Sequence, residues 1–314
     1  MKRFGYLYEK IISIENLYLA ERKARKGKKN RKDVIKFNQS LHDNIFQLHW
    51  QLKNEVYNTG EYYHFTIHEP KARDISKLPY RDRIVHQAII RILEPIFINT
   101  FILTTYSCIK KRGIHKGLKD LNKALLNVGD TRYCLKMDIK KFYPSINNDL
   151  LKQLLREKFK DVRLLKLLDN IIDSIKGLPL GSYTSQFFAN FYLNKFNRWL
   201  LNNEIKYLFV YCDDIVILHK NKEFLHSIRK EAQVFLKQHL KLELSNYQVF
   251  PVKSRGIDFL GYKSFHSHIL LRKSIKRRFI KMIKRNKNKK SIASYYGWLK
   301  HGNCVNLQNK YLEN

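Results

Sequence analysis

Apolar residues recur every three or four positions over several long stretches of this chain, and every second position over a few short ones. Val34, Phe37, Leu41, Ile45, Leu48, Leu52 and Val56 share one helical face, which predicts a helix from about Asp33 to Tyr57. Asp33 can cap its start, and Gly60 follows its end. Residues 7–24 read as an earlier helix, and Val85, Ile89, Ile92 and Ile96 mark a third that begins near Asp82. Further helices are expected at Asp120–Asn127, at Asp149–Ile175 in two pieces, at Ser185–Asn202 and at Lys222–His239. Alternation predicts a strand at Tyr62–Glu69, ended by Pro70, with Arg73–Leu78 as its partner. His64 and His68, four apart on that strand, read as surface histidines. In Tyr133–Ile139, Tyr133, Leu135, Met137 and Ile139 take one face while Cys134, Lys136 and Asp138 take the other. Leu242–Leu244, Val249–Val252 and Ile257–Tyr262 read as short strands, and Lys110–Gly117 as a basic loop.

One pattern stands apart. Tyr211-Cys212-Asp213-Asp214 lies between the apolar runs Leu208-Phe209-Val210 and Ile215-Val216-Ile217-Leu218, as a hairpin with acids at its turn would. Adjacent carboxylates in an apolar setting need compensation. Taken alone, the four residues fit a solvated turn that uses Asp for its turn chemistry. Asp138 changes that balance. It sits on the polar face of an otherwise apolar strand, 75 residues before Asp213, with a long helical segment between. Asp138, Asp213 and Asp214 can then meet on two neighbouring strands. Oxygen ligands without a Cys or His cluster suit two Mg2+ ions, with Mn2+ as a substitute, rather than Zn2+.

Charge adds a partner. The 314 residues hold 61 Lys and Arg against 27 Asp and Glu, a formal net charge of +34. Such a field attracts polyanions, nucleic acid first. Between Arg22 and Lys32, eight of eleven residues are basic, and from Arg272 to Lys290 eleven are, with no acid in either run. In the second run Ile275, Phe279, Met282 and Ile283 form an apolar stripe, so it reads as a basic amphipathic helix. A second helical piece, Ile292–His301, carries Tyr295, Tyr296 and Trp298, read as core packing of the C-terminal region. No run of about 18 apolar residues exists, which argues against a membrane. No signal-peptide apolar region follows the N-terminus. Cys108, Cys134, Cys212 and Cys304 are widely spaced and read as buried thiols of a reducing compartment. A cytoplasmic protein is expected.

The ordered set Leu135-Lys136-Met137-Asp138 through Phe142-Tyr143, then Leu178-Pro179-Leu180-Gly181-Ser182-Tyr183-Thr184-Ser185-Gln186, then Tyr211-Cys212-Asp213-Asp214, then Phe259-Leu260-Gly261-Tyr262, resembles the palm motifs of reverse transcriptases. The likeness extends over nearly all of the chain. Most of that family carry Gln-Gly-x-x-x-Ser-Pro in the middle motif. Here the residues are Leu180, Gly181, Ser185 and Gln186, which is similar to the reverse transcriptases of diversity-generating retroelements.

The resemblance implies an α+β right-hand polymerase with fingers, an antiparallel palm sheet and a helical thumb. Its divisions would be residues 1–130 (N-terminal extension and fingers), 131–268 (palm, with inserted fingers helices at about 147–178) and 269–314 (basic thumb). It implies metal ligation by Asp138, Ile139, Asp213 and Asp214. It implies dNTP contacts from Lys71, Arg73, Phe142, Tyr143, Leu180, Gly181 and Gln186, with Tyr143 as the gate against a 2′-OH. Lys28, Lys29, Arg31 and Lys32, and Arg272, Lys273, Lys276, Arg277, Lys281 and Lys284, would contact nucleic acid. The activity implied is copying of a retroelement template RNA into cDNA, error-prone at adenines, in a bacterial or phage-encoded system. Its partners would be template RNA, primer or cDNA, dNTPs and a small accessory protein. Where many relatives place a Lys that protonates pyrophosphate, this chain has Gln248, which cannot do so. Two alternatives stand beside this reading. One is a retron- or intron-type reverse transcriptase, whose full intron form is disfavoured because the chain ends soon after the thumb. The other is an RNA-binding scaffold with a silent palm.

Overall fold

The computed structural model of the chain describes residues 3–68, 72–285 and 289–312. The chain divides into two compact units. The first takes in residues 1–102, 140–196 and 236–242; the second takes in 103–139, 197–235 and 243–314.

The first unit is mostly helical. Its opening helices are Tyr8–Ile12 and Ile14–Arg25, separated at Ser13, whose hydroxyl accepts from Asn16 N. The single helix expected from Asp33 to Tyr57 is two, Lys32–Gln39 and Leu41–Lys53. The chain leaves helical geometry at Ser40 (φ −124°, ψ 52°), and Asn44 Nδ2 reaches back to Phe37 O at 2.9 Å across the break. Short polar side chains offer such local alternatives to helical bonding. The central helix, Tyr80–Thr100, begins two residues before Asp82, after Pro79. Buried Asn16 donates to Ile11 O and Ala88 O and accepts from Arg91 Nε, fixing the opening helices against the central one. The expected two-piece helix is found as Asn148–Lys158 and Val162–Asp173. Asp161 caps the second piece through Leu164 N, while its other oxygen accepts Leu7 N and Tyr8 N at 2.8 and 2.9 Å. Strands β1 (Tyr63–Ile67) and β2 (Arg73–Lys77) form an antiparallel hairpin, with Tyr63 opposite Lys77 and Ile67 opposite Arg73. β1 is exposed throughout, His64 included.

The second unit holds a four-stranded antiparallel sheet in the order β4-β5-β3-β6, with β3 at Tyr133–Ile139, β4 at Tyr207–Tyr211, β5 at Asp214–His219 and β6 at Leu244–Pro251. β3 and β5 are the inner strands, and the edge strand β4 is buried through Leu208, Phe209 and Val210. The two short strands expected at Leu242–Leu244 and Val249–Val252 are the single edge strand β6. Its polar middle, Ser245–Gln248, conceals it from a hydropathy reading because an edge strand tolerates solvent. A small sheet follows, built from β7 (Ile257–Phe259), β8 (Tyr262–Ser264) and β9 (Ile269–Leu271). Phe259, Leu260 and Tyr106 join Cys134, Val216, Leu218 and Phe250 in one core. The expected basic loop stops early, because a helix begins at Ile114 and runs to Leu125. Ile275, Phe279 and Ile283 of helix Lys273–Arg285 are buried with Tyr262, Leu271 and Leu299. Tyr295 and Trp298 pack against this cluster, the Trp298 ring 5.5 Å from that of Tyr262, as expected, whereas Tyr296 is exposed. Helix Val305–Leu312 was not foreseen. Cys134 and Cys304 are buried, but Cys108 is exposed in a turn with φ 59°, contrary to the expectation for all four thiols. Among the described residues no helix is long and apolar enough to cross a membrane.

His86 is the outstanding buried titratable group of the first unit, only 1% exposed on the central helix. Burial pushes its pKa from the ordinary 6.5 down to about 3. The unfolded chain therefore binds one more proton than the folded one between those values. Stability is full above the unfolded value and falls as pH drops through this window, by about 1.4 kcal/mol per pH unit. Urea midpoints recorded from about pH 7 to about pH 4 are expected to fall less steeply for His86→Gln than for the wild type.

Candidate active site

Asp138 is opposite Asp214 in the β3–β5 register, and Tyr211 is opposite Asp214 in the β4–β5 hairpin. The hairpin turn is thus the pair Cys212–Asp213. Cys212 takes a left-handed backbone (φ 55°), which a non-glycine residue adopts at a cost of about 1 kcal/mol. The twofold alternation of β3 that buries Leu135, Met137 and Ile139 directs Lys136 and Asp138 to the opposite face, as the sequence pattern predicts. Asp138, Asp213 and Asp214 are all half-buried.

Two like charges directly opposite on neighbouring strands repel. Lys136 answers that repulsion. Its Nζ is 3.2 Å from Asp214 Oδ1 and also donates to the Asp258 carbonyl. Asp258 in turn accepts from Arg272 Nε at 2.6 Å. Burial holds the Asp214 carboxyl above the ordinary carboxylate range; Lys136 opposes this and Asp138 adds to it. Asp138 has a different neighbour. The β3–β6 register shifts between Asp138 and Ile139, so Ser245 is an extra residue, a β-bulge beside the acid. The Ser245 hydroxyl donates to Asp138 Oδ2 at 2.6 Å. Lys136 was visible in the sequence, two residues before Asp138 on the same face; Ser245 had no signal, since a bulge leaves none. Gln248 accepts from Arg255 at 2.6 Å.

Among the described residues, no three His, Cys, Asp or Glu side chains form a ready metal cage. The donor set still suits a hard cation. Asp214 Oδ1 is buried without a hydrogen bond although an ammonium stands near it, and the remaining donors are carboxylate oxygens. Magnesium is commonly held by one or two carboxylates together with substrate phosphates, not by a closed protein cage. Asp138, Asp213 and Asp214, with the Ile139 carbonyl beside them, are the residues that would hold it.

The first unit gathers several of the expected nucleotide contacts through backbone bonds. Leu178 N donates to Tyr143 O at 2.9 Å, and Ser76 N of β2 donates to Leu180 O at 3.0 Å. Phe142 is buried at the start of the short helix Phe142–Ser145, while Tyr143 is half-buried and not a core ring. Gly181 is exposed with φ +109°, and a Cβ there would come within 3.2 Å of Ile75 Cγ2. Gln186 is half-buried in helix Tyr183–Asn202. Arg73 is exposed at the start of β2. Lys71 lies outside the described residues.

Of the basic contacts, Lys28, Lys29 and Arg31 line a cavity of about 500 Å3 with Gly27 and Asn30. Burial and the neighbouring Arg83 and Arg31 lower the Lys28 pKa, and Asp33 opposes them. Asp33 also pairs with Lys77 and Arg83 and accepts Val34 N at 3.0 Å, so it serves the helix start from within the first turn, the N-cap position itself being Arg31. Lys32 is exposed. Lys273, Lys276, Arg277, Lys281 and Lys284 are exposed on their helix, whereas Arg272 is engaged with Asp258.

An antiparallel sheet that sets an acid on an inner strand across from a two-acid hairpin is the arrangement of a right-hand polymerase palm. Residues 60–264 match the family described as reverse transcriptase (RNA-dependent DNA polymerase), and the chain belongs to that family. It is 26% identical to protein YkfC of Escherichia coli (strain K12) over 240 residues, 62% of this chain and 63% of that one. It is 24% identical to the group II intron-encoded protein LtrA of Lactococcus lactis subsp. cremoris over 148 residues, 44% of this chain and 24% of that one. The chain thus spans less than two thirds of the length of these relatives. The apo telomerase of Candida tropicalis shares the fold, with a TM-score of 0.50 at 12% identity, over 72% of this chain and 52% of that one.

Removing Lys136 leaves Asp138 and Asp214 facing each other uncompensated. Lys136→Met is expected to destabilise the protein by about 1–3 kcal/mol, and Asp214→Asn added to it to restore most of that loss. A double-mutant cycle from urea unfolding is expected to give a coupling of about 1 kcal/mol or more.

Proposed function

We propose that this chain is an RNA-directed DNA polymerase of the diversity-generating retroelement group, copying a template RNA into cDNA with frequent errors at adenines. The observation that carries the catalytic part is Asp138 opposite Asp214 with Asp213 in the adjoining turn. In the reaction, the primer 3′-hydroxyl gives its proton to water and its oxygen bonds to the α-phosphorus of a dNTP as the bond from that phosphorus to the bridging oxygen breaks, releasing pyrophosphate. Asp138 and Asp213 supply the carboxylate oxygens at the reacting centre, and Ser245 holds Asp138 in orientation. Magnesium, when bound, supplies the positive charge that the attacking and leaving oxygens need. Arg73 and Lys71 grip the triphosphate. Tyr143 excludes a 2′-hydroxyl, and Leu180 and Gly181 touch the nascent base pair. The basic run at 22–32 and helix Lys273–Arg285 hold template and primer backbone. On this reading residues 1–130 are N-terminal extension and fingers, 131–268 palm and 269–314 thumb. A small accessory protein completes the assembly.

The mutagenic assignment is carried by Leu180, which cannot hydrogen-bond as the usual Gln does. A second reading, an intron-type enzyme, is favoured by one observation: two of the relatives are named as intron proteins, LtrA and a putative COX1/OXI3 intron 2 protein of Saccharomyces cerevisiae, 27% identical over 137 residues.

Purified protein with Mg2+, an RNA template and a DNA primer is expected to incorporate dNTPs, and Asp213→Ala to reduce this at least about 1,000-fold. Incorporation that survives the substitution refutes the assigned site. Sequencing the cDNA separates the two readings. Adenine-directed errors that fall in Leu180→Gln support the retroelement assignment, whereas accurate wild-type copying supports the intron type.

A further inference from the structure

We propose that His86 is a positioning residue for nucleotide selection, clamping through Ser182 and Thr184 the turn that presents Leu180 and Gly181. The inference rests on the polymerase reading and adds to it a determinant outside the family motifs quoted above. His86 Nδ1 lies 2.7 Å from Ser182 Oγ and 2.9 Å from Thr184 Oγ1, and the two hydroxyls are 3.1 Å apart. All three side chains are buried, with 1%, 4% and 1% exposure. The triangle sits where the turn formed by half-buried Leu180 and exposed Gly181 enters helix Tyr183–Asn202. Among the described residues Nε2 of His86 is buried without a hydrogen-bond partner, so the ring's polar attachment there is to Ser182 and Thr184.

Beyond the Leu178 N–Tyr143 O bond at its entry, the turn has two anchors. One is the backbone bond from Ser76 N to Leu180 O, which ties it to the strand that carries Arg73. The other is the imidazole. The first fixes the turn to the triphosphate-gripping hairpin, and the second fixes it to the rigid central helix. Groups that touch a nucleotide must be held to well under an ångström, because small displacements change rate and selectivity. Loss of the imidazole anchor would leave Leu180 and Gly181 held by the main-chain bonds at 178 and 180 alone. His86 is kept neutral by burial, so the clamp is the same throughout the pH range of polymerase assays. A core histidine with no such role would affect folding alone.

The test is single-nucleotide incorporation on an RNA template, with kcat and KM measured for matched and mismatched dNTPs and primer–template affinity measured separately. Ser182→Ala and His86→Leu are expected to raise KM for the matched dNTP about 3- to 10-fold, the scale of one hydrogen bond. The ratio of matched to mismatched kcat/KM is expected to shift with it. Primer–template Kd is expected to stay within about twofold, and His86→Gln, whose amide can again bond the hydroxyls, to recover most of the effect. Thr184→Val serves as a second removal of a partner should His86→Leu fail to fold. Unchanged KM and selectivity in folded Ser182→Ala and Thr184→Val overturn the inference while the polymerase reading stands. Absence of any dNTP incorporation by the wild type overturns the polymerase reading, and the inference with it.

Discussion

Two carboxylates facing each other across adjacent strands are the constraint around which the second unit is organised. Asp138 and Asp214 occupy one register position of β3 and β5, the two innermost strands. Their repulsion is tolerable only because a cation lies diagonally across the pair. Lys136 supplies it and also donates to the main-chain carbonyl of Asp258, whose carboxylate pairs with Arg272. The catalytic strand, the small sheet and the start of the basic helix Lys273–Arg285 are thereby joined through Lys136, Asp258 and Arg272. A +34 chain can hold such acids at modest cost, since the surrounding field favours them.

The first unit solves a different problem. Its nucleotide-binding candidates lie on three separated segments, around residues 73–76, 143 and 178–181. Main-chain bonds, not side chains, bring them together: Ser76 to Leu180, and Leu178 to Tyr143. Because main-chain bonds do not depend on side-chain identity, the segments keep their relation while individual contact residues change. That is a reason why Leu can replace Gln at position 180 without dismantling the turn.

Much of this was legible in the sequence where period and burial agree. The alternation of β3 and the acids at the β4–β5 turn are where the pattern puts them, and so is the helix through residues 85–96, although its core face continues from Ile89 through Leu93 and Phe97 while Ile92 and Ile96 are only half-buried. The pattern misled where local chemistry overrides it. Ser40 interrupts a helix whose apolar stripe runs on unbroken, and β6 is an edge strand whose polar residues look like loop. The site was legible in its acids and in Lys136, whose strand position follows from alternation. Ser245 and His86 were not legible. One depends on a bulge, and the other on a contact between residues nearly a hundred positions apart.

The bulge at Ser245 has a consequence for how this site can vary. An inserted residue lies outside the paired register, so its side chain is not committed to either face of the sheet. Exchanging it leaves the ladder that holds Asp138 intact and alters only what the carboxylate accepts. The position works as an adjustable screw on the acid, in a strand otherwise fixed by its partners.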